Sequence, residues 1–146
     1  MAAQHSPEEI KKAHEILYAE GIRIREQVAG KAFVEKSLNN AKGNPFATAL
    51  QEYVTEGAWG SVWTRPGLEL KVRSFLVIAM LACQNRGTEL ATHVKGGLNN
   101  GATQEEIREV LLQAAAYNGA PTAVEGFRVA WKAIEEWNEE QKAKAN

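Results

Sequence analysis

A single cysteine, Cys83, rules out an internal disulfide framework and any cysteine-rich zinc site. The three histidines, His5, His14 and His93, are scattered and form no metal-ligand spacing, so no metal is expected. Charge of one sign is also missing. With 17 basic and 18 acidic side chains the formal charge is −1, which gives no overall pull toward phosphate backbones or anionic membranes. The longest apolar run, Phe75 to Cys83, has nine residues, about half of a membrane crossing. The N-terminal segment is polar and acidic, without the apolar stretch of a secretory signal. These absences lead to the expectation of a cytoplasmic protein with neither nucleic-acid nor membrane partners.

What is present fits a folded domain. Apolar residues make up 45% and charged residues 24% of 146 positions, enough for a core without disulfides or metals. Period-2 alternation is missing, whereas helix punctuation is frequent, so the expected class is all-α, a single-domain bundle of six or seven helices. Its core is expected over about residues 18–137, with less ordered ends.

Ser6-Pro7-Glu8-Glu9 is a capping box with proline at the first helical position, and the helix it opens runs to about Val28, before Gly30. A short helix is expected at Phe33–Asn39, and another from Asn44-Pro45 to near Gly57. The glycine- and proline-rich stretch Gly57–Gly67 reads as a loop. Leu68–Gln84 reads as a buried central helix, followed by a break at Asn85-Arg86-Gly87 and a helix over Thr88–Asn99. A second capping box, Thr103 with Glu106, opens a helix that Asn118-Gly119 ends. The last helix is expected over Thr122–Gln141 with a frayed tail. Its stripe of Phe127, Trp131, Ile134 and Trp137 extends too far for a small core at Ile134 and Trp137, which points to a subunit contact.

Glu89 and His93, one turn apart, share a helix face. Measured from Arg86 at 0°, they fall near about −60° and −20°, with Asn100 near about −40°. The apolar Leu90, Val94 and Leu98 follow at about 40°, 80° and 120°. A polar stripe bordering an apolar one is where proton transfer becomes useful. There Glu89 can orient the imidazole and favour its charged form, making His93 a general acid near neutral pH. The plainer reading is a solvated pair. On the next helix Gln113 and Tyr117 read as either core-edge packing or pocket lining, while Glu106 is the cap and Glu109 is solvated. Trp59, Trp63, Arg65 and Arg73 put flat apolar surface and guanidinium groups near one turn, suited to a carboxylate, or else to core packing and chain capping. Cys83 reads as an inert thiol, and His5 and His14 as surface residues.

Several segments, taken in order, resemble the carboxymuconolactone decarboxylase family. They are Trp59-Gly60-Ser61-Val62-Trp63-Thr64-Arg65-Pro66-Gly67-Leu68, Arg73-Ser74, Glu89-Leu90-Ala91-Thr92-His93, Asn99-Asn100-Gly101-Ala102-Thr103-Gln104-Glu105-Glu106-Ile107 and Tyr117-Asn118-Gly119-Ala120-Pro121. The likeness spans about Tyr18 to Trp137. It implies the all-α fold of alkyl hydroperoxidase D-like proteins and a homo-oligomer, trimer or hexamer. The peroxidase branch carries Cys-x-x-Cys-x-x-x-His. Aligned on His93, those cysteines would fall on Arg86 and Glu89, so the resemblance is to the decarboxylase branch. Where that branch shows an acidic residue, a histidine and often His-Cys, this chain has Ser61, Phe33 and Gln113-Ala114, which leaves the exact substrate open.

The resemblance implies a carboxy-lyase acting without a cofactor on γ-carboxymuconolactone or a related small carboxylated lactone, in the breakdown of aromatic compounds. The lactone takes up the electrons as a dienolate. In that reading His93 protonates carbon, Glu89 orients it, and Tyr117 or Gln113 donates to the oxyanion. Arg65 and Arg73, with Arg86 if the helix extends back to it, hold carboxylate, and Trp63 forms a dry wall. Two other readings compete: an isomerase or lyase on the same scaffold using the same Glu/His pair, and a non-catalytic oligomeric binding protein. A thiol peroxidase through Cys83 stands further off.

Overall fold

The computed structural model describes residues 4–145. Met1–Ala3 of the polar N-terminal segment and Asn146 at the end of the Lys/Ala-rich tail lie outside the described residues. All regular structure among those described is helical: α1 Pro7–Ala29, α2 Lys31–Ala41, α3 Pro45–Tyr53, a π-helical segment Val54–Trp63, α4 Leu70–Cys83, α5 Gly87–Asn99, α6 Gln104–Asn118 and α7 Ala120–Ala145. The all-α expectation holds. The chain forms two compact units, the first ending at Gly67 and the second beginning at Leu68.

In the first unit, α1 starts as its capping box dictates. The Ser6 hydroxyl accepts from the Glu9 amide, and the Glu9 carboxylate accepts from the Ser6 amide at 2.7 Å. Gly30, at φ 89°, ends it in a conformation that a side chain would resist. Asn44 caps α3 through its side-chain oxygen, again with proline next. The expected loop after Gly57 is instead the continuation of α3 in π-helical turns as far as Trp63. Tertiary contact overrides the local glycine signal. Gly60 lies so close to α1 that an added Cβ would sit 2.2 Å from the Leu17 carbonyl oxygen, and at Gly21 it would sit 2.1 Å from that of Thr55. The two glycines thus seat the π-helix against α1. Trp59 and Trp63, both buried, stack with ring centroids 4.8 Å apart.

The second unit packs Ile78 and Ala82 of α4, Leu90, Val94 and Leu98 of α5, Ile107 and Leu111 of α6, and Ala130, Ala133 and Ile134 of α7 into one core. α4 is not buried all round: Leu76 and Met80 face outward, while Ser74, Ile78 and Ala82 face in. Two expectations for α7 need correcting. Ile134 is in the core, so it does not mark a subunit contact, and the half-buried Trp137 packs against that core with its indole N–H donating to Asn99 at 2.8 Å. Trp131 is the outward residue of that stripe. The tail stays helical to Ala145 rather than fraying after Gln141.

Candidate active site

Asn85 turns the chain out of α4 with φ 54°, a left-handed conformation that asparagine tolerates better than most residues. Gly87 then opens α5, whose buried residues Leu90, Val94 and Leu98 recur every fourth position and fix which face meets the core. Gly97 allows close approach to α4, with Ile78 and Ser74 within 3.6 Å of where a Cβ would be. On the opposite flank Lys95 ties α5 to α7 through Glu136 at 2.9 Å and Glu140 at 2.8 Å. The helix carrying Glu89 and His93 is therefore held from both sides.

His93 is half-buried and Glu89, one turn back, is exposed. Their fields oppose each other at the imidazole. Loss of hydration disfavours the charged ring and Glu89 favours it; burial wins, holding the His93 pKa down at about 4. This overturns the expectation that the Glu89 partnership makes His93 an imidazolium near neutral pH. In the free protein the ring is neutral there.

Asn100, placed by periodicity on the same stripe, has a different role. Its side-chain amide donates to the Ser74 hydroxyl at 3.0 Å and to the Leu70 carbonyl at 3.4 Å, fastening the end of α5 to the first turn of α4. Ser74, fully buried, in turn donates to Leu70. That turn carries Arg73, half-buried beside Ser74. Sequence reasoning missed this bracket, although the adjacent Arg73-Ser74 pair was its visible trace.

The other expected site residues are placed less favourably. Arg86 is exposed at the N-cap of α5. Gln113 is exposed on α6, and Tyr117 is 87% exposed. Asn118, exposed like Tyr117, donates its side-chain amide to the Cys83 carbonyl at 3.2 Å and to the Thr122 hydroxyl at 2.7 Å. In the first unit Trp63 is buried and Arg65 is exposed. Cys83 is a half-buried free thiol. Among the described residues no three His, Cys, Asp or Glu side chains group so as to hold a metal ion, and no helix is long and apolar enough to cross a membrane.

Comparison with known proteins adds a second line of evidence. The chain is 46% identical to nitrosuccinic acid decarboxylase npaB of Metarhizium robertsii over 121 residues, 83% of each chain. It is 38% identical to the 4-carboxymuconolactone decarboxylase of Acinetobacter baylyi, over 73% of this chain and 78% of that one. Residues 48–132, which include the π-helix, α4, α5 and α6, match the carboxymuconolactone decarboxylase family. Both relatives are named decarboxylases, the family match covers the helix that holds His93, and the chain belongs to the carboxymuconolactone decarboxylase family as an enzyme of its carboxy-lyase type.

Proposed function

We propose that this enzyme removes carbon dioxide from a small dicarboxylic acid whose departing carboxylate lies next to, or in conjugation with, an electron acceptor. Nitrosuccinic acid, the substrate in one relative's name, has its acceptor on the same carbon as the carboxylate. γ-Carboxymuconolactone, the type indicated by the other, has a lactone carbonyl reached through a ring double bond. In both the C–C bonding pair flows into the substrate's own acceptor, giving a nitronate or a dienolate, and a second carboxylate stays behind. The carbon then takes one proton, so each turnover consumes a proton and releases CO2.

The observation that carries this reading is a half-buried imidazole, flanked by a carboxylate, on a helix fixed at both faces. A dianionic substrate changes the balance at His93. Its negative charge opposes the desolvation that keeps the ring neutral, so binding loads the ring with the proton that the carbanion later receives. Glu89 orients the imidazole, and Arg73 on α4 pairs with the retained carboxylate. Arg65 and Trp63 keep their carboxylate-holding and wall roles on the strength of the resemblance. An oxyanion donor works where water is excluded. Tyr117 and Gln113 therefore act only where another copy of the chain covers α6, and we read the enzyme as a homo-oligomer.

The test is CO2 release from nitrosuccinate and from γ-carboxymuconolactone assayed side by side. Turnover of one or both, with one CO2 per substrate, is expected. No release from either overturns the substrate class.

A further inference from the structure

Arg25 of α1 is 6% exposed, yet it has no carboxylate within ion-pair range among the described residues. A buried guanidinium is costly without a counter-charge and is ordinarily paired. Here its bonds go to neutral groups in the first unit. One terminal nitrogen, Nη1, donates to the Gln51 side-chain oxygen at 2.8 Å and to the Thr55 hydroxyl at 3.1 Å. Those two bonds use both N–H groups of Nη1. They leave the side-on edge, made by Nε and Nη2, bonded to nothing among the described residues.

No nitrogen of Arg25 is both sealed from solvent and without a partner, so that edge keeps contact with water. Burial disfavours the charged form, and Tyr18, two turns back on α1, partly restores it. Thr55 is fully buried and lies where Gly21 packs against the π-helix, so the group that orients the guanidinium is itself immobile.

We propose that Arg25, held by Gln51 and Thr55, is a carboxylate-binding site of the first unit. The side-on edge presents two parallel N–H donors, the spacing that one carboxylate accepts bidentately. With the guanidinium already fixed, less rotamer entropy is lost on binding. A single guanidinium fork suits a singly charged planar carboxylate better than a phosphate. In the sequence Arg25 stands close to Arg23 and Glu26, with nothing there to mark it as buried.

The test is succinate titration of the 15N-labelled full chain, following the Arg25 Nε–Hε resonance, identified by its loss in Arg25→Gln. A saturable shift is expected in wild type and in His93→Gln alike, with chloride at equal ionic strength inert. Affinity read from backbone amides around Thr55 should fall tenfold or more in Arg25→Gln. Arg25→Lys, which keeps the charge and loses the fork, should weaken it as well. Kinetics then separate this site from the reaction. Unchanged kcat and KM in Arg25→Gln, with succinate's effect on the protein lost, are expected of a carboxylate other than the one Arg73 holds. A raised KM in Arg25→Gln overturns that separation. A resonance that succinate leaves in place, or that inorganic phosphate moves at lower concentration, overturns the proposal and leaves the decarboxylase reading untouched.

Discussion

At His93 a spacing rule and a burial effect point in opposite directions, and the burial effect is the larger. Sequence places Glu89 one turn away and so finds the partner; how much water the ring loses depends on packing that no local pattern records. The consequence for stability has a definite sign. A histidine with a pKa near 6.5 unfolded and about 4 folded binds fewer protons in the native state between those values, so stability rises with pH across that interval. The contribution is full above about pH 6.5 and is lost as pH falls toward 4, on the order of 3 kcal/mol in all. Urea unfolding at a series of pH values should show that acid loss in wild type and a smaller one in His93→Gln. Parallel curves would mean that the ring is hydrated. Arg25 was illegible for the same reason as His93's pKa: its surroundings are set by α3 and the π-helix, far along the chain.

Among the elements, the helix starts were the most readable, because caps are local chemistry. Ser6 with Glu9 and Thr103 with Glu106 both form complete reciprocal boxes, and Gly30 and Gly119 end their helices at positive φ. The segment after Gly57 was not readable. Its glycines look like loop punctuation, but at Gly60 the missing side chain lets the Leu17 backbone approach. That difference is testable with two substitutions of one kind. Gly60→Ala forces a Cβ against a carbonyl and should destabilise by roughly 1–3 kcal/mol or more. Gly57→Ala meets only the Tyr53 ring at 3.8 Å and should be neutral or slightly stabilising, as for a helical glycine with room for a Cβ. Chemical denaturation of the pair checks this, and equal effects would mean that Gly60 is not a contact glycine.

On the scale of the whole molecule, composition and helix pattern were enough for the class, and the ordered segments from Trp59 to Pro121 for the family. The surface was not legible. Phe46, Leu50 and Tyr53 recur along α3 at 90%, 57% and 75% exposure, and Trp131 of α7 stands 58% exposed. Side chains of this size left in water suit the proposed assembly, in which a further chain would cover them. Sedimentation should give a mass that is a multiple of the 16.0 kDa chain, and a monomer at micromolar concentration would remove the assembly and with it any part for Tyr117. The account as a whole stands on the proposal that His93 gives a proton to carbon. Its most direct test is the turnover of whichever acid the enzyme decarboxylates, compared between wild type and a folded His93→Gln. A fall of roughly 10²–10⁴ in kcat is predicted; a variant that still releases CO2 at close to the wild-type rate would contradict it.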